Sequence, residues 1–397
     1  MALTFIDEYN FTNKNIIVRF DFNVPLDKKD PSKILDTTRI DAAIPTIKYL
    51  LDNGAKQLIL MSHLGRPKGK VVDKYSLEPV ALYLANILSQ EVLLTESALD
   101  KGIKTLLKIN SNKIIMLQNL RFHPEEEAND LDFAKSLSEY ADVYVNDAFG
   151  TAHRKHASTH GIISFFKNNS LAGFLIRDEL KALTKIIKTP KKPFVGIVGG
   201  AKVSDKIKII EKLLPQVDQL IIGGAMAYPF LKAKGKQIGK SLCSEEDTKL
   251  AANILNLPTS QKIVLPIDHI ASASLSGDSI TVNTPDIPDE LIGLDIGNLT
   301  IERFKSTLKK AETIFWNGPM GMFENPKFNN GTLSIAKIIS QLENAYTLVG
   351  GGDSVNAVKQ SDLSESFSHI STGGGASLEF IEEGALVGIK ALTYGVH

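Results

Sequence analysis

The chain has 397 residues, too many for one ordinary hydrophobic core, so two domains are expected. Its composition is that of a globular protein, 43% hydrophobic and 23% charged, and its 45 basic residues balance its 45 acidic ones, which removes any global case for nucleic-acid or membrane binding. The single cysteine, Cys243, excludes an intrachain disulfide and fits a reducing compartment. The acidic opening MALTFIDEYN lacks the regions of a secretory signal, and the longest uncharged apolar run, LIIGGAMAYPFL, is too short to span a bilayer, so a cytoplasmic protein is expected.

The first element, NIIVRFDFNVP at 15–25, reads as a strand. Val18, Phe20, Phe22 and Val24 alternate with Arg19, Asp21 and Asn23, which therefore share one face. Taken alone, that face reads as solvated. TRIDAAIPTIKYLLDNG follows as a helix, with Ile40, Ile44, Ile47 and Leu51 at helical spacing, Thr37 or Thr38 as cap, Pro45 early and Gly54 at the end. QLILMSH is a strand and SLEPVALYLANIL a helix; KIIMLQNL and DVYVNDAF are further strands. The helix FLIRDELKALTKIIK and the segment TPKKP separate the halves. The second half repeats the plan with the strands PFVGIVGG, QLIIGG, KIVLPID, TIFWNG, YTLVGG and FSHIST. Such alternation predicts an α/β chain of two doubly wound parallel-sheet (Rossmann-like) domains joined by a helix and hinge.

Ligands of open α/β sheets sit beyond the carboxyl ends of the strands. In the first half those ends are basic: Arg39 after the first strand, then His63 and Arg66, Arg121 and His123, and His153, Arg154 and His156. A single surface arginine is usually just solvated. Four strand ends that each deliver one point to a small, multiply charged anion, because guanidinium forks match carboxylate and phosphate oxygens. In the second half the strand ends are glycine-rich, in GIVGGAKVSDK, FWNGPMGMFE, LVGGGDSVNAV and ISTGGGASLEF. Any one reads first as a tight turn; together, at helix starts, they favour a nucleotide. The P-loop pattern is absent and the dinucleotide spacing is not met. Lys206 is either a solvated lysine or a phosphate partner. Asp353 either caps its helix or faces magnesium, and Glu324 is either a loop acid or a ribose partner.

The segments VRFDFNVP, TTRI, SHLGRP, NLRFH, YVNDAFGTAHR, GGAKVSDKI, LPID, LDIG, WNGPMGMFE, GGGDS and STGGGAS, in this order, make the chain resemble the phosphoglycerate kinase family over essentially its whole length. The resemblance implies reversible phosphoryl transfer between ATP and the carboxylate of 3-phosphoglycerate, giving ADP and 1,3-bisphosphoglycerate, by a cytoplasmic monomer using Mg2+ with ATP or ADP. It implies an N-terminal substrate domain at 1–174, a helix and hinge at 175–193 and a nucleotide domain at 194–375. It also implies that a last segment, 376–397, packs back toward the N-terminal domain. Asp21, Phe22, Asn23, Arg39, His63, Leu64, Gly65, Arg66, Arg121 and Arg154 would hold 3-phosphoglycerate. Lys206, Gly223, Gly224, Leu294, Asn317, Glu324, Gly350, Gly351, Gly352, Asp353 and Ser354 would hold the nucleotide, with Asp353 toward the metal. Arg39, Lys202, Lys206, Gly351, Gly352 and Gly374 would serve the transfer.

Two positions depart from the family pattern. Gln118 stands where glutamate is usual, a change expected to touch a hinge-side salt bridge, and Pro229 where threonine is common, at a helix start. Arg19 is left open, paired with Asp21 or with another acid. The rival readings are a two-domain NAD-dependent dehydrogenase, against which the missing GxGxxG spacing speaks, and a two-lobed anion-binding protein, which would leave the lysine–glycine half unexplained.

Overall fold

The computed structural model describes residues 3–109 and 113–396. Contacts divide the chain into two units, Met1–Lys181 with Ala385–His397, and Ala182–Gly384.

The first unit is built on β1 (Asn15–Arg19), β2 (Gln57–Met61), β3 (Val92–Leu94), β4 (Ile114–Met116), β5 (Val143–Asn146) and β6 (Ser170–Ala172). They form one parallel sheet in the order β3-β4-β2-β1-β5-β6. Alternate residues of the central strands feed separate cores on the two faces. Ile16, Val18, Leu58 and Leu60 pack with Ile47, Leu50 and Leu84 of the helices Ile44–Asp52 and Glu78–Leu88. Ile17, Ile59 and Met61 pack with Ile103, Phe133 and Leu137 of the helices Lys101–Ile109 and Leu131–Ser138. With both faces covered, the middles of the central strands are apolar on both sides, as in other parallel sheets.

That burial corrects the reading of the first element. β1 ends at Arg19, not near residue 25, and Arg19 is buried. Phe20 and Phe22 run on into the same core as Ile16 and Val18, and Asp21 and Asn23 sit beyond the strand's carboxyl end, so the wet face suggested by the stretch taken alone is not formed. The next helix is also two helices, Thr38–Asp41 and Ile44–Asp52. Pro45 has no N–H to donate to the Asp41 carbonyl, and its ring crowds that carbonyl; at the start of the second helix it costs nothing.

The second unit is built on β7 (Phe194–Val198), β8 (Gln219–Ile222), β9 (Ile263–Val264), β10 (His269–Ser272), β11 (Ile280–Val282), β12 (Ile292–Ile296), β13 (Thr313–Asn317), β14 (Tyr346–Gly350) and β15 (His369–Ile370). Six of these form a parallel sheet in the order β15-β14-β13-β7-β8-β9. β11, β10 and β12 form a separate antiparallel sheet that sequence pattern did not anticipate.

The helix Phe174–Lys188 runs across the division between the units. Its start is held by the first unit: the Phe174 N–H donates to Thr46 Oγ1 at 3.1 Å and the Ile176 N–H to Asp147 Oδ1 at 3.1 Å. Near the other terminus, the helix Gly375–Glu383 packs on the helix Ile207–Leu213 in the second unit. The helix Val387–Tyr394 instead belongs to the first, where the Gly388 N–H donates to the Ala152 carbonyl at 2.8 Å and Ala391 joins the core beneath β1.

Candidate active site

Strand order brings the basic strand ends together. β4, β2, β1 and β5 are consecutive in the first sheet, so the segments that follow them, bearing Arg121, His63 and Arg66, Asp21 and Asn23, and Arg154, emerge side by side. Arg39, on the helix after β1, donates from Nη1 to Asp21 Oδ2 at 2.6 Å, and a third of its side chain stays exposed (33%). Asn23 accepts the Gly65 N–H at 2.8 Å. Gly65 has φ +65°, and a Cβ there would lie 2.3 Å from the Tyr75 ring, so the position admits only glycine without strain. Arg121 donates from Nη1 to the Gly65 carbonyl at 2.8 Å. Its side chain is only 3% exposed, yet Nε and Nη2 make no hydrogen bond, although Glu127 lies 3.3 Å from Nε. Arg154 is half-buried and donates to His153 Nε2 at 3.1 Å; Arg66 is exposed and unpaired among the described residues.

The guanidinium groups impose a strong local field. Burial pushes the His63 imidazole well below its ordinary range, and Arg19, Arg121, Arg39 and Arg154 all push it the same way. Burial likewise lowers His156 to about 3, reinforced by Arg19, Arg121, Arg154 and His153. Both histidines are therefore neutral at pH 7, and the positive charge is carried by arginine. Two of the expected residues offer no side chain to a ligand: the Phe22 ring stacks on Phe20 in the core, and Leu64 is buried with its backbone held by Asn119.

The second unit presents backbone. β15, β14, β13, β7 and β8 are consecutive, so the loops at 371–375, 350–354, 317–324, 199–206 and 223–226 adjoin. Several glycines there are in close contact. A Cβ on Gly199 would lie 2.1 Å from the Pro319 carbonyl oxygen, on Gly223 2.4 Å from Met320 Sδ, and on Gly224 2.7 Å from the Gly200 nitrogen. Gly352, Gly374 and Gly375 differ, since a Cβ on any of them would enter open space. Gly351, with φ +88°, precedes the helix Gly352–Gln360, and Gly374, with φ +53°, precedes Gly375–Glu383.

Lys206 is the cation at the centre of these loops. Its Nζ donates to both oxygens of Asn317, the backbone one at 3.2 Å, and burial lowers its pKa to about 8 against the pull of Asp353 and Asp205. Asn317 is 1% exposed with Nδ2 unpaired. Ser354 is buried, its hydroxyl accepting the Gly318 N–H at 2.6 Å and lying 3.1 Å from the Gly350 carbonyl, so it braces two loops. Leu294 on β12 is tied to the same region through its carbonyl, which accepts the Met322 N–H at 2.7 Å. Lys202, Glu324 and Asp353 are exposed.

The sequence model of the family described as phosphoglycerate kinase matches residues 6–384. The chain is 49% identical to the phosphoglycerate kinase of Anaeromyxobacter dehalogenans strain 2CP-1, across 98% of this chain and 99% of that one. It is also 49% identical to the chloroplastic phosphoglycerate kinase of Volvox carteri, across 96% and 83%. Among solved structures, phosphoglycerate kinase from Coxiella burnetii superposes with a TM-score of 0.85 at 37% identity, covering 98% of this chain and 99% of that one. The chain belongs to the phosphoglycerate kinase family. It is a kinase of glycolysis that transfers a phosphoryl group between ATP and 3-phosphoglycerate, and neither the dehydrogenase nor the anion-receptor reading is favoured.

For this phosphoglycerate kinase family member the departures find local accounts. Gln118 Oε1 accepts the N–H groups of Leu77 and Asn119, both at 2.9 Å, and Nε2 donates to Ser76 at 3.1 Å. It braces the turn that leads into the helix Glu78–Leu88 with neutral partners, inside the first unit. Pro229 occupies the first turn of the helix Ala227–Ala233, where its missing N–H is not needed. Sequence reasoning missed Asp295. It is buried on β12, accepts the Gly331 N–H at 2.7 Å and the Ile296 N–H at 2.9 Å, and burial raises its pKa to about 7. Its only signal was its place in LDIG. Among the described residues no helix is long and apolar enough to cross a membrane.

Proposed function

We propose that the enzyme works by direct in-line transfer, with the first unit holding 3-phosphoglycerate or 1,3-bisphosphoglycerate and the second holding ATP or ADP. The observation that carries this reading is Arg121, a buried guanidinium whose Nη2 has no hydrogen-bonding acceptor and whose Nε has only an ion pair with the exposed Glu127. A buried cation with unmet donors calls for an anion. Asn23, Arg39, His63, Arg66, Arg121 and Arg154 bind that anion, and Asp21 orients Arg39. Phe22, Leu64 and Gly65 contribute backbone position.

The acceptor is a carboxylate, with a pKa of about 4, so it is already ionised at neutral pH and no general base is needed. That suits a pair of clusters made of arginine, lysine and backbone N–H groups. Lys206, Lys202, Arg39 and the helix starts at Gly351, Gly352 and Gly374 stabilise charge on the moving phosphoryl group. Gly223, Gly224 and Leu294 line the adenine pocket, Glu324 takes the ribose, and Asn317 with Gly350–Ser354 meets the phosphates. Asp353, an exposed carboxylate in the first turn of its helix, is the hard oxygen donor a magnesium ion shared with nucleotide phosphates would use. When bound, that ion supplies charge neutralisation on the phosphates.

The two clusters lie on separate units, so the reading includes closure about the 175–193 helix and linker, which would also exclude water. It includes a cytoplasmic monomer. Transfer from ATP chirally labelled at the γ-phosphorus tests the direct step: one displacement inverts configuration at phosphorus, and retention would replace this mechanism by one through a phosphoenzyme. Solution scattering tests closure; an unchanged radius of gyration with both substrates bound would remove it.

A further inference from the structure

Arg19 has no part in the roles assigned above, yet it is one of the largest fully buried side chains, at 1% exposure. Its Nε donates to Ser158 Oγ at 2.8 Å and its Nη1 to the Phe20 carbonyl. Its Nη2 lies 3.2 Å from Nδ1 of His63 and 4.0 Å from Oε1 of Glu126. Glu126, fully buried, accepts from Ser158 twice, from the hydroxyl at 2.6 Å and the N–H at 2.9 Å. One hydroxyl proton satisfies the arrangement, since Ser158 accepts from Arg19 and donates to Glu126.

A guanidinium has donors only and remains protonated in proteins. An imidazole nitrogen facing it must therefore accept, which leaves the ring proton on the other nitrogen. Among the described residues Asp21 Oδ1, 3.9 Å from the same Nδ1, is the one competitor, and that carboxylate is already engaged by Arg39 and by the Asn23 N–H at 3.2 Å. His63 Nε2 makes no hydrogen bond among the described residues and is not among the enclosed unpaired atoms, so it is left for a ligand.

We propose that Arg19, anchored by Ser158 and Glu126, is a positioning residue that fixes His63 as the Nε2–H tautomer, so that His63 meets the anionic substrate as a neutral hydrogen-bond donor. Burial and four surrounding arginines disfavour the imidazolium and support the same state. The opposite tautomer would turn a lone pair toward an anion. The role at the substrate rests on the reading that this cluster binds 3-phosphoglycerate; the tautomer itself does not.

Nitrogen-15 NMR of the ring nitrogens in the full-length, ligand-free enzyme at pH 7 tests the inference. The expected spectrum shows His63 Nε2 protonated and Nδ1 as a hydrogen-bonded acceptor. A protonated Nδ1, with or without Nε2, overturns it. Arg19→Met should mix the tautomers and raise KM for 3-phosphoglycerate about tenfold, with kcat and the nucleotide KM nearly unchanged, and Arg19→Lys should recover part of the loss. An unchanged tautomer in Arg19→Met, or equal damage to both substrates, overturns the positioning role. Ser158→Ala, a smaller change, serves the same comparison if Arg19→Met does not fold. If 3-phosphoglycerate leaves the His63 signals unmoved, the substrate-site reading fails and takes the donor role with it. If it moves them while Nδ1 carries the proton, the inference fails alone.

Discussion

On the proposed reading, the two strand-end clusters would recognise anions with different materials. The first unit presents charged side chains held by hydrogen bonds within the unit, such as Arg39 on Asp21 and Arg121 on the Gly65 carbonyl. The second presents bare backbone at helix starts, with the half-buried Lys206 as the cation among the loops. A small anion with charge at both ends needs point charges of fixed direction, which arginine forks supply. A chain of phosphates needs close approach along its length, which glycine allows. The contrast also sorts the glycines. Those in contact, such as Gly199 and Gly224, hold loops together; those facing open space, such as Gly352 and Gly374, leave room for something the chain itself does not provide.

The largest test of that division is Arg39→Ala. Loss of one preorganised charged donor should lower kcat by about 100-fold or more, while the nucleotide KM stays within about threefold. Steady-state kinetics in both substrates would measure it. A nucleotide KM that rises as far as kcat falls would mean that the two clusters are not separable.

The glycines give the next largest effect and a paired comparison. Gly352→Val places a side chain in open space at a backbone conformation that needs no left-handed φ. Thermal stability should be preserved, while the nucleotide KM rises about thirtyfold, the equivalent of ~2 kcal/mol. Gly65→Ala should do the reverse in the other unit. With φ +65° and the Tyr75 ring 2.3 Å from the new Cβ, it should cost about 1–3 kcal/mol of stability by denaturant titration. A destabilised Gly352→Val enzyme with normal nucleotide binding would show that the open glycine is structural.

What could be read from sequence follows the same contrast. Strand ends rich in arginine or glycine are local signals, because each residue type carries its chemistry with it. Strand order is not local. That β4, β2, β1 and β5 are neighbours, which turns four separate arginines into one cluster, depends on pairings between distant segments. The three-residue strands β3, β6 and β11 carry too little periodicity to be found. The partner of Arg19 stayed open because the acid it meets, Glu126, lies more than a hundred positions away. Asp295 was silent because a lone buried carboxylate has no pattern at all.

Lys206 predicts a pH effect confined to the nucleotide side. Burial places its pKa near 8, so the protonated form is complete at low pH and is lost as pH rises through that value, well before an ordinary lysine would titrate. kcat/KM for the nucleotide reports the free enzyme, and it should fall about fivefold from pH 8 to pH 9 and about tenfold per pH unit beyond. kcat/KM for 3-phosphoglycerate at saturating nucleotide should lack that limb, since a bound phosphate holds the proton on. Lys206→Arg should move the limb out of range. An identical alkaline limb for both substrates would assign the titration elsewhere.

Glu324 should give the smallest effect and the most specific one. It is exposed and makes no hydrogen bond or ion pair among the described residues, so its removal leaves no protein group unpaired. Glu324→Gln should therefore leave stability and the 3-phosphoglycerate KM untouched and raise the nucleotide KM about fivefold, the worth of a hydrogen bond of ~1 kcal/mol. So small a change proves nothing alone, because altered surface charge near a polyanion could produce it. The same variant with 2′-deoxy and 3′-deoxy nucleotides closes the cycle. If Glu324 accepts from a ribose hydroxyl, the nucleotide lacking that hydroxyl binds both enzymes alike, whereas a charge effect persists with every sugar. A fivefold change that survives both deletions would leave the nucleotide half recognised by its phosphates and base alone, with no acidic side chain in contact with the sugar.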